Sequence, residues 1–146
     1  MKLLKFNEPI TFGMNGNIKD YAVNGWALNE DNPSFTWSNE LDARLQFNAQ
    51  ATSAPVVLRI AGIPYLGEGK ILSQRVLVYL NGLYCGVFSA HEGFERTIPV
   101  RGAWLEPRGN ELALVMPHAA SPSELGIGAD KRRLGLCLRE MTLATA

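Results

Sequence analysis

The chain has no surplus of either charge. Fourteen Lys and Arg offset fourteen Asp and Glu, and the one basic cluster, KRR at 131–133, has Asp130 beside it. Binding phosphate needs an excess of cations, so nucleic acid is not an expected partner. Cysteine is scarce as well. Cys85 and Cys137 are the only two, and both lie in apolar, strand-like runs. Two cysteines make no disulfide framework; they read as buried free thiols, with a bridge between neighbouring strands left open. No apolar run approaches the roughly 20 residues of a membrane helix. The opening MKLLKFNEPITF breaks at Lys5 and Glu8, too early for a secretory signal. The expectation is a soluble, cytoplasmic protein with no membrane span.

Histidine is nearly missing. His91 and His118 stand alone, with neither H-x-x-x-H nor zinc-type cysteine spacing. No D-x-D-x-D-G loop supports calcium, although oxygen ligands are plentiful. No G-x-S-x-G marks a serine nucleophile. The glycine-rich ELGIGADKRR fails as a phosphate loop, because Arg132 follows Lys131 where Ser or Thr is needed and a strand follows instead of a helix. Paired carboxylates for glycoside hydrolysis, such as Glu30 with Glu40 or Asp130, fit in principle only. No cofactor, no metal and no catalytic set is therefore expected.

Helical periodicity is scarce too, and short alternating strands take its place. In LDARLQFNA, Leu41, Ala43, Leu45 and Phe47 share one face. Val56, Leu58 and Ile60 alternate in PVVLRIAG, as do Val76, Val78 and Leu80 in QRVLVYL and Leu112, Leu114 and Met116 in NELALVM. RLGLCLREMTL holds Leu134, Leu136 and Leu138 in phase, then Met141 and Leu143 out of phase, which predicts a bulge near Arg139–Glu140. Asn81-Gly82 between two apolar strands predicts a two-residue type I′ hairpin. A helical turn is expected at RGAWLEP before Pro107. Eight to ten strands with frequent turn signals predict an all-β fold. The expectation is one domain over 1–146, an antiparallel β-sandwich of jelly-roll type with its terminal strands paired. Two long loops, 63–73 and 117–130, are candidates for function.

What remains is binding. Sugars offer flat CH faces and many hydroxyls, which suit aromatic planes flanked by Asn, Asp, Glu and Arg. The stretch GWALNEDNPSFTWSNE (25–40) brackets Glu30 with Trp26 and Trp37. Trp26, inside strand-like YAVNGWAL, favours a core anchor; Trp37 suits a ligand platform or a loop clamp equally; Trp104 reads as a structural plug. Asp130 is placed to pair with Arg132 or Arg133, with Glu30 as the natural third member of that cluster. Such ions either pin the long loop or line a site.

Three ordered stretches carry a resemblance. NGWALNE, Trp37 and DARLQF are similar to a GW-x-x-x-E…W…A-x-L opening. QRVLVYLNGLYCGVF is similar to a Q-x-V-x-V-x-V-N-G hairpin. SPSELGIGADKRRLGLCLREMTL is similar to SP-x-x-L-G…D-x-R-x-LG-L-x-L-x-x-L-x-L. Over residues 20–143 the chain resembles poorly characterised bacterial jelly-roll, carbohydrate-binding-like domains associated with surface-polysaccharide glycosyltransferases. The resemblance implies a non-catalytic glycan-binding accessory module. By motif match it points to Trp26, Glu30, Trp37, Asn81, Asp130 and Arg133 as ligand-binding residues. The alternative reading is an interaction or assembly module: the two-faced apolar strands LVYL and GLYCGVF could pair in a homodimer.

Overall fold

The computed structural model describes residues 1–145 and is almost entirely β. In chain order the strands are β1 (Leu3–Leu4), β2 (Ile10–Thr11), β3 (Ala22–Asn24), β4 (Thr36–Trp37), β5 (Asp42–Ala49), β6 (Val56–Pro64), β7 (Gln74–Leu80), β8 (Leu83–Ala90), β9 (Phe94–Val100), β10 (Asn110–Val115) and β11 (Leu136–Thr145). Only the first four are shorter than six residues, too short to show a period in the sequence. They lie at the edges of two sheets. One sheet runs β1-β5-β10-β7-β8, with β3 also on β5; the other runs β2-β11-β6-β9, with β4 also on β11.

Period-two alternation explains why the sheets face each other. Ala43, Leu45 and Phe47 of β5, Val76, Val78 and Leu80 of β7, and Leu112, Leu114 and Met116 all point inward and are buried. They meet Leu58 and Ile60 of β6 and Leu136, Leu138, Met141 and Leu143 of β11. Leu41, placed on the same face by its spacing, is exposed because it precedes β5. The phase change in β11 is a bulge: the β6 register shifts between Leu138 and Glu140, and the Arg139 carbonyl accepts from Phe12 N–H at 3.2 Å. Asn81 (φ 52°) and Gly82 (φ 78°) form the turn of the β7–β8 hairpin. A short 3-10 turn at Gly102–Trp104 stands where RGAWLEP predicts one.

One expectation needs correction. The terminal strands do not pair: β1 lies parallel to β5, while β11 takes β2 as its N-terminal partner. The cysteines are free, with Cys85 half-buried on β8 and Cys137 buried on β11, in different sheets. No helix among the described residues is long and apolar enough to cross a membrane.

Candidate functional site at the loop end

Three loops converge where β11 begins. The 27–36 loop returns on itself. Ala27 N–H donates to the Trp37 carbonyl and Asn39 N–H to that of Gly25, each at 2.9 Å. Asn32 Oδ1 accepts from Ser34 and Phe35 N–H, an Asx turn that shapes the tip. Gly13 N–H donates to Thr36 Oγ1 at 2.8 Å, and a Cβ on Gly13 would lie 2.4 Å from the Pro33 carbonyl oxygen, so only glycine fits there. The 117–135 loop opens with a capping box: Ser121 N–H donates to Glu124 Oε1 at 2.7 Å, and Glu124 N–H donates to Ser121 Oγ at 3.0 Å. Leu125 packs against Gly67 of the 65–73 loop, and Tyr65 N–H donates to the Gly135 carbonyl. Buried Ser38 completes the join, its Oγ accepting from Leu136 N–H at 2.9 Å.

Arg132 ties the loops together. Its side chain donates to both Asp130 oxygens, at 2.7 to 3.1 Å, and to Glu30 Oε1; its backbone N–H also reaches Asp130, at 2.9 Å. These bonds hold the Asp130 carboxyl down at about 2. The same two carboxylates raise the guanidinium above its ordinary value, Asp130 contributing most. A carboxyl so firmly ionised is an ion clamp and a hydrogen-bond acceptor, not a general acid.

Trp37 lies beside this cluster. On β4 it faces Cys137 of β11 across the strand pair, and its ring meets Tyr65 edge-on at a centroid distance of 6.0 Å. It is half-buried. Burial, with Glu30 adding to it, pushes the Cys137 thiol up to about 12, so it stays a neutral thiol. Burial likewise raises the Tyr65 phenol, with Glu68 and Asp130 contributing. A 360 Å³ depression opens beside Glu30, lined by Met14, Lys19, Leu28, Asn29 and Asp31.

The six residues singled out by motif do not form one group. Glu30 and Asp130 come together on Arg132, and Trp37 is joined to Tyr65 and Cys137 at the same end. Arg133 is exposed and donates to no side chain among the described residues; its neighbour Arg132 makes the ion pairs. Trp26 is a core residue: it is 7% exposed, its ring packs tilted at 46° against Phe12 with centroids 5.4 Å apart, and its indole N–H donates to the Arg44 carbonyl at 2.9 Å. Asn81 sits at the β7–β8 turn and serves structure. Its Nδ2 donates to the Trp104 carbonyl and Asn110 Oδ1, and its Oδ1 accepts from Glu111 N–H. Sequence reasoning missed Tyr65 and did not choose Arg132 over Arg133. Tyr65 lay inside a loop already flagged by its length, and Arg132 was one of two equal candidates to pair with Asp130. Among the described residues no group of three or more His, Cys, Asp or Glu is arranged to hold a metal.

No family model matches the sequence, and no curated protein does. Solved structures are similar in fold. The CBM36-1 domain of a multidomain xylanase from the hindgut metagenome of Trinervitermes trinervoides superposes with a TM-score of 0.55 at 11% identity, covering 95% of this chain and 97% of that one. A family 35 carbohydrate-binding module from Clostridium thermocellum gives 0.53 at 14% identity, over 95% and 99%. CsCBM6-3 from Clostridium stercorarium, solved in complex with cellobiose, gives 0.53 at 9% identity, over 99% and 98%. At these identities the likeness shows a shared fold: the chain is a β-sandwich of the kind used by carbohydrate-binding modules.

Proposed function

We propose that this domain is a non-catalytic glycan-binding module whose loop end takes a saccharide. The observation that carries the reading is a half-buried indole, Trp37, set edge-on to Tyr65 at the end of the sandwich where Arg132 joins Glu30 and Asp130. Trp37 offers an aromatic surface for the CH face of a pyranose. The Glu30 oxygen not engaged by Arg132 and the Tyr65 hydroxyl are available to ring hydroxyls. Arg132 holds both carboxylates in place and keeps Asp130 ionised, so they act as acceptors in a preorganised frame. The fold shared with three carbohydrate-binding modules, one of them holding cellobiose, supports the reading. The association with bacterial surface polysaccharide implied by the sequence motifs belongs to the same proposal.

A shallow, wet site of this kind binds weakly, with Kd about 0.1–1 mM, or roughly −4 to −5.5 kcal/mol. The test is a titration with bacterial polysaccharide fragments, read by tryptophan fluorescence. Saturable change in the native protein, lost in a folded Trp37→Ala variant, supports the reading. If no saccharide changes the signal and Trp37→Ala unfolds the domain, Trp37 and the ion triad are loop clamps only.

A further inference from the structure

The edges of the two sheets are protected unequally. A strand at an edge leaves a row of N–H and C=O groups open to another strand, and short length, charge or proline normally closes it. Strands β1 to β4 are only two or three residues long. At the edge of the second sheet, β9 carries Glu95, Arg96 and Pro99. The edge strand β8 has none of these devices. Its eight residues, LYCGVFSA, include no charge and no proline, and residues 76–90 as a whole carry no charged side chain. Among the described residues β8 pairs only with β7. A bulge at Cys85 interrupts that pairing, where the register shifts between Val78–Gly86 and Tyr79–Tyr84, and Gly86–Ala90 is regular. Arg96 reaches across from β9 to the Ser89 carbonyl, but at 3.4 Å the contact is long enough to yield to a strand. Register also sets what lies beside the edge. Val115 of β10, Leu77 of β7 and Val87 of β8 form one apolar row on the outer face. The row stops in water at Val87, which is 47% exposed.

From this edge and the row that ends on it we infer that the chain forms a homodimer, in which two copies pair their β8 strands antiparallel about a two-fold axis at Val87. An axis there sets Val87 opposite the partner's Val87, so the row Val115–Leu77–Val87 continues into the same row of the second copy. On the inner side it sets Phe88 opposite the partner's Gly86, which has no side chain to obstruct it. The open backbone groups of both edges are then bonded, and two sheets become one. The same features favour a second copy over a foreign strand. An uncharged edge offers no charge pattern by which a foreign strand would be selected, whereas a copy supplies the matching apolar row. Fourteen cationic and fourteen anionic side chains cancel, so two copies do not repel each other. The contact is small. Eight residues at about 3.4 Å each make an edge roughly 27 Å long, which buries about 400–500 Å² per partner, near half of a standard interface. The dimer is therefore weak and concentration-dependent, with Kd roughly 10–100 μM. It needs no saccharide.

The test is sedimentation equilibrium of the full chain without ligand, from about 1 μM to 1 mM. The mean mass should rise from that of one chain towards that of two. Val87→Lys sets two lysines face to face at the axis. It should raise Kd at least about tenfold, and it should leave the Tm of the dilute protein unchanged, because Val87 is half in water. Thr97→Lys on β9 should leave Kd unchanged. A second pair of variants reads the register. In a Cys85→Ser background, Val87→Cys should close a disulfide between copies on mild oxidation, since facing residues of antiparallel strands stand about 4.5–5.5 Å apart, within disulfide reach. Ser89→Cys in the same background should not. A chain that remains monomeric at 1 mM overturns the inference and leaves the β8 edge to a strand of another protein. A dimer that Val87→Lys leaves intact, or one that cross-links through Ser89→Cys and not through Val87→Cys, overturns it as well.

Discussion

Two parts of the molecule carry the same residue types and use them differently. At the loop end, Arg132 is enclosed by Asp130 and Glu30 and ties residues over a hundred positions apart. On the outer face of the first sheet, Arg44 lies between Asp42 and Glu111, whose backbones the β5–β10 ladder already holds. One ion triad organises loops; the other decorates a sheet that needs no organising. The aromatic residues follow the same division. Trp37 is pressed against Tyr65 and the strand beneath it, whereas Tyr84 is half in water. Loss of a loop-end residue should therefore affect shape and binding together, and loss of a sheet-face residue should leave the shape unchanged.

The comparison is broken most forcefully from below. Trp26 stands behind both regions, packed on Phe12 and bonded to the backbone of Arg44. Trp26→Ala should cost about 3–5 kcal/mol, as large-to-small core substitutions do, and remove saccharide binding everywhere by unfolding. Chemical denaturation measures it. Next in size, Arg132→Met should destabilise by about 1 kcal/mol and broaden the amide signals of 27–36 and 117–135, because the two loops lose the side chain that joins them. Arg44→Met should stay within about 1 kcal/mol, since an exposed triad on a formed sheet contributes little. Equal broadening in the two variants would erase the distinction drawn here.

Acid separates the regions more gently. The folded-state pKa of Asp130 lies below its unfolded value, so its contribution is complete above roughly pH 4 and is lost as pH falls towards 2. After discounting for solvent, this amounts to no more than about 1 kcal/mol. The loop-end amides should move between pH 4 and 2. Thiol labelling gives the smallest and cleanest contrast. Cys137, buried and raised to about 12, should resist a disulfide reagent at pH 8 until the domain unfolds. Cys85, half-buried on the edge strand β8, should react in the native state.

The parts that could be read from sequence are those governed by local rules. Alternation placed Leu45, Val78 and Leu114 inside because a pleated strand leaves no other choice, and the break in phase after Leu138 located the bulge. Asn81-Gly82 showed its turn because few residue pairs tolerate those backbone angles. The short strands β1, β2 and β4 were invisible, since two residues have no period and form only where an edge already exists, while β3 fell within the strand-like YAVNGWAL. At the candidate site, pairing of Asp130 with an arginine was legible but the choice between Arg132 and Arg133 was not. Neighbours in a loop differ only in direction, which is set by tertiary contacts. Tyr65 joins Trp37 through a register between β6 and β11 that no local pattern encodes. Asn81 shows the reverse limit: its motif was clear, but its amide is consumed by Trp104, Asn110 and Glu111.

The most direct test of glycan binding is an amide NMR titration of the native chain with cellohexaose, mapped residue by residue. Saturable shifts are expected at 29–38, 65 and 130–132. An unchanged spectrum at millimolar cellohexaose, and with bacterial polysaccharide fragments in its place, would contradict it.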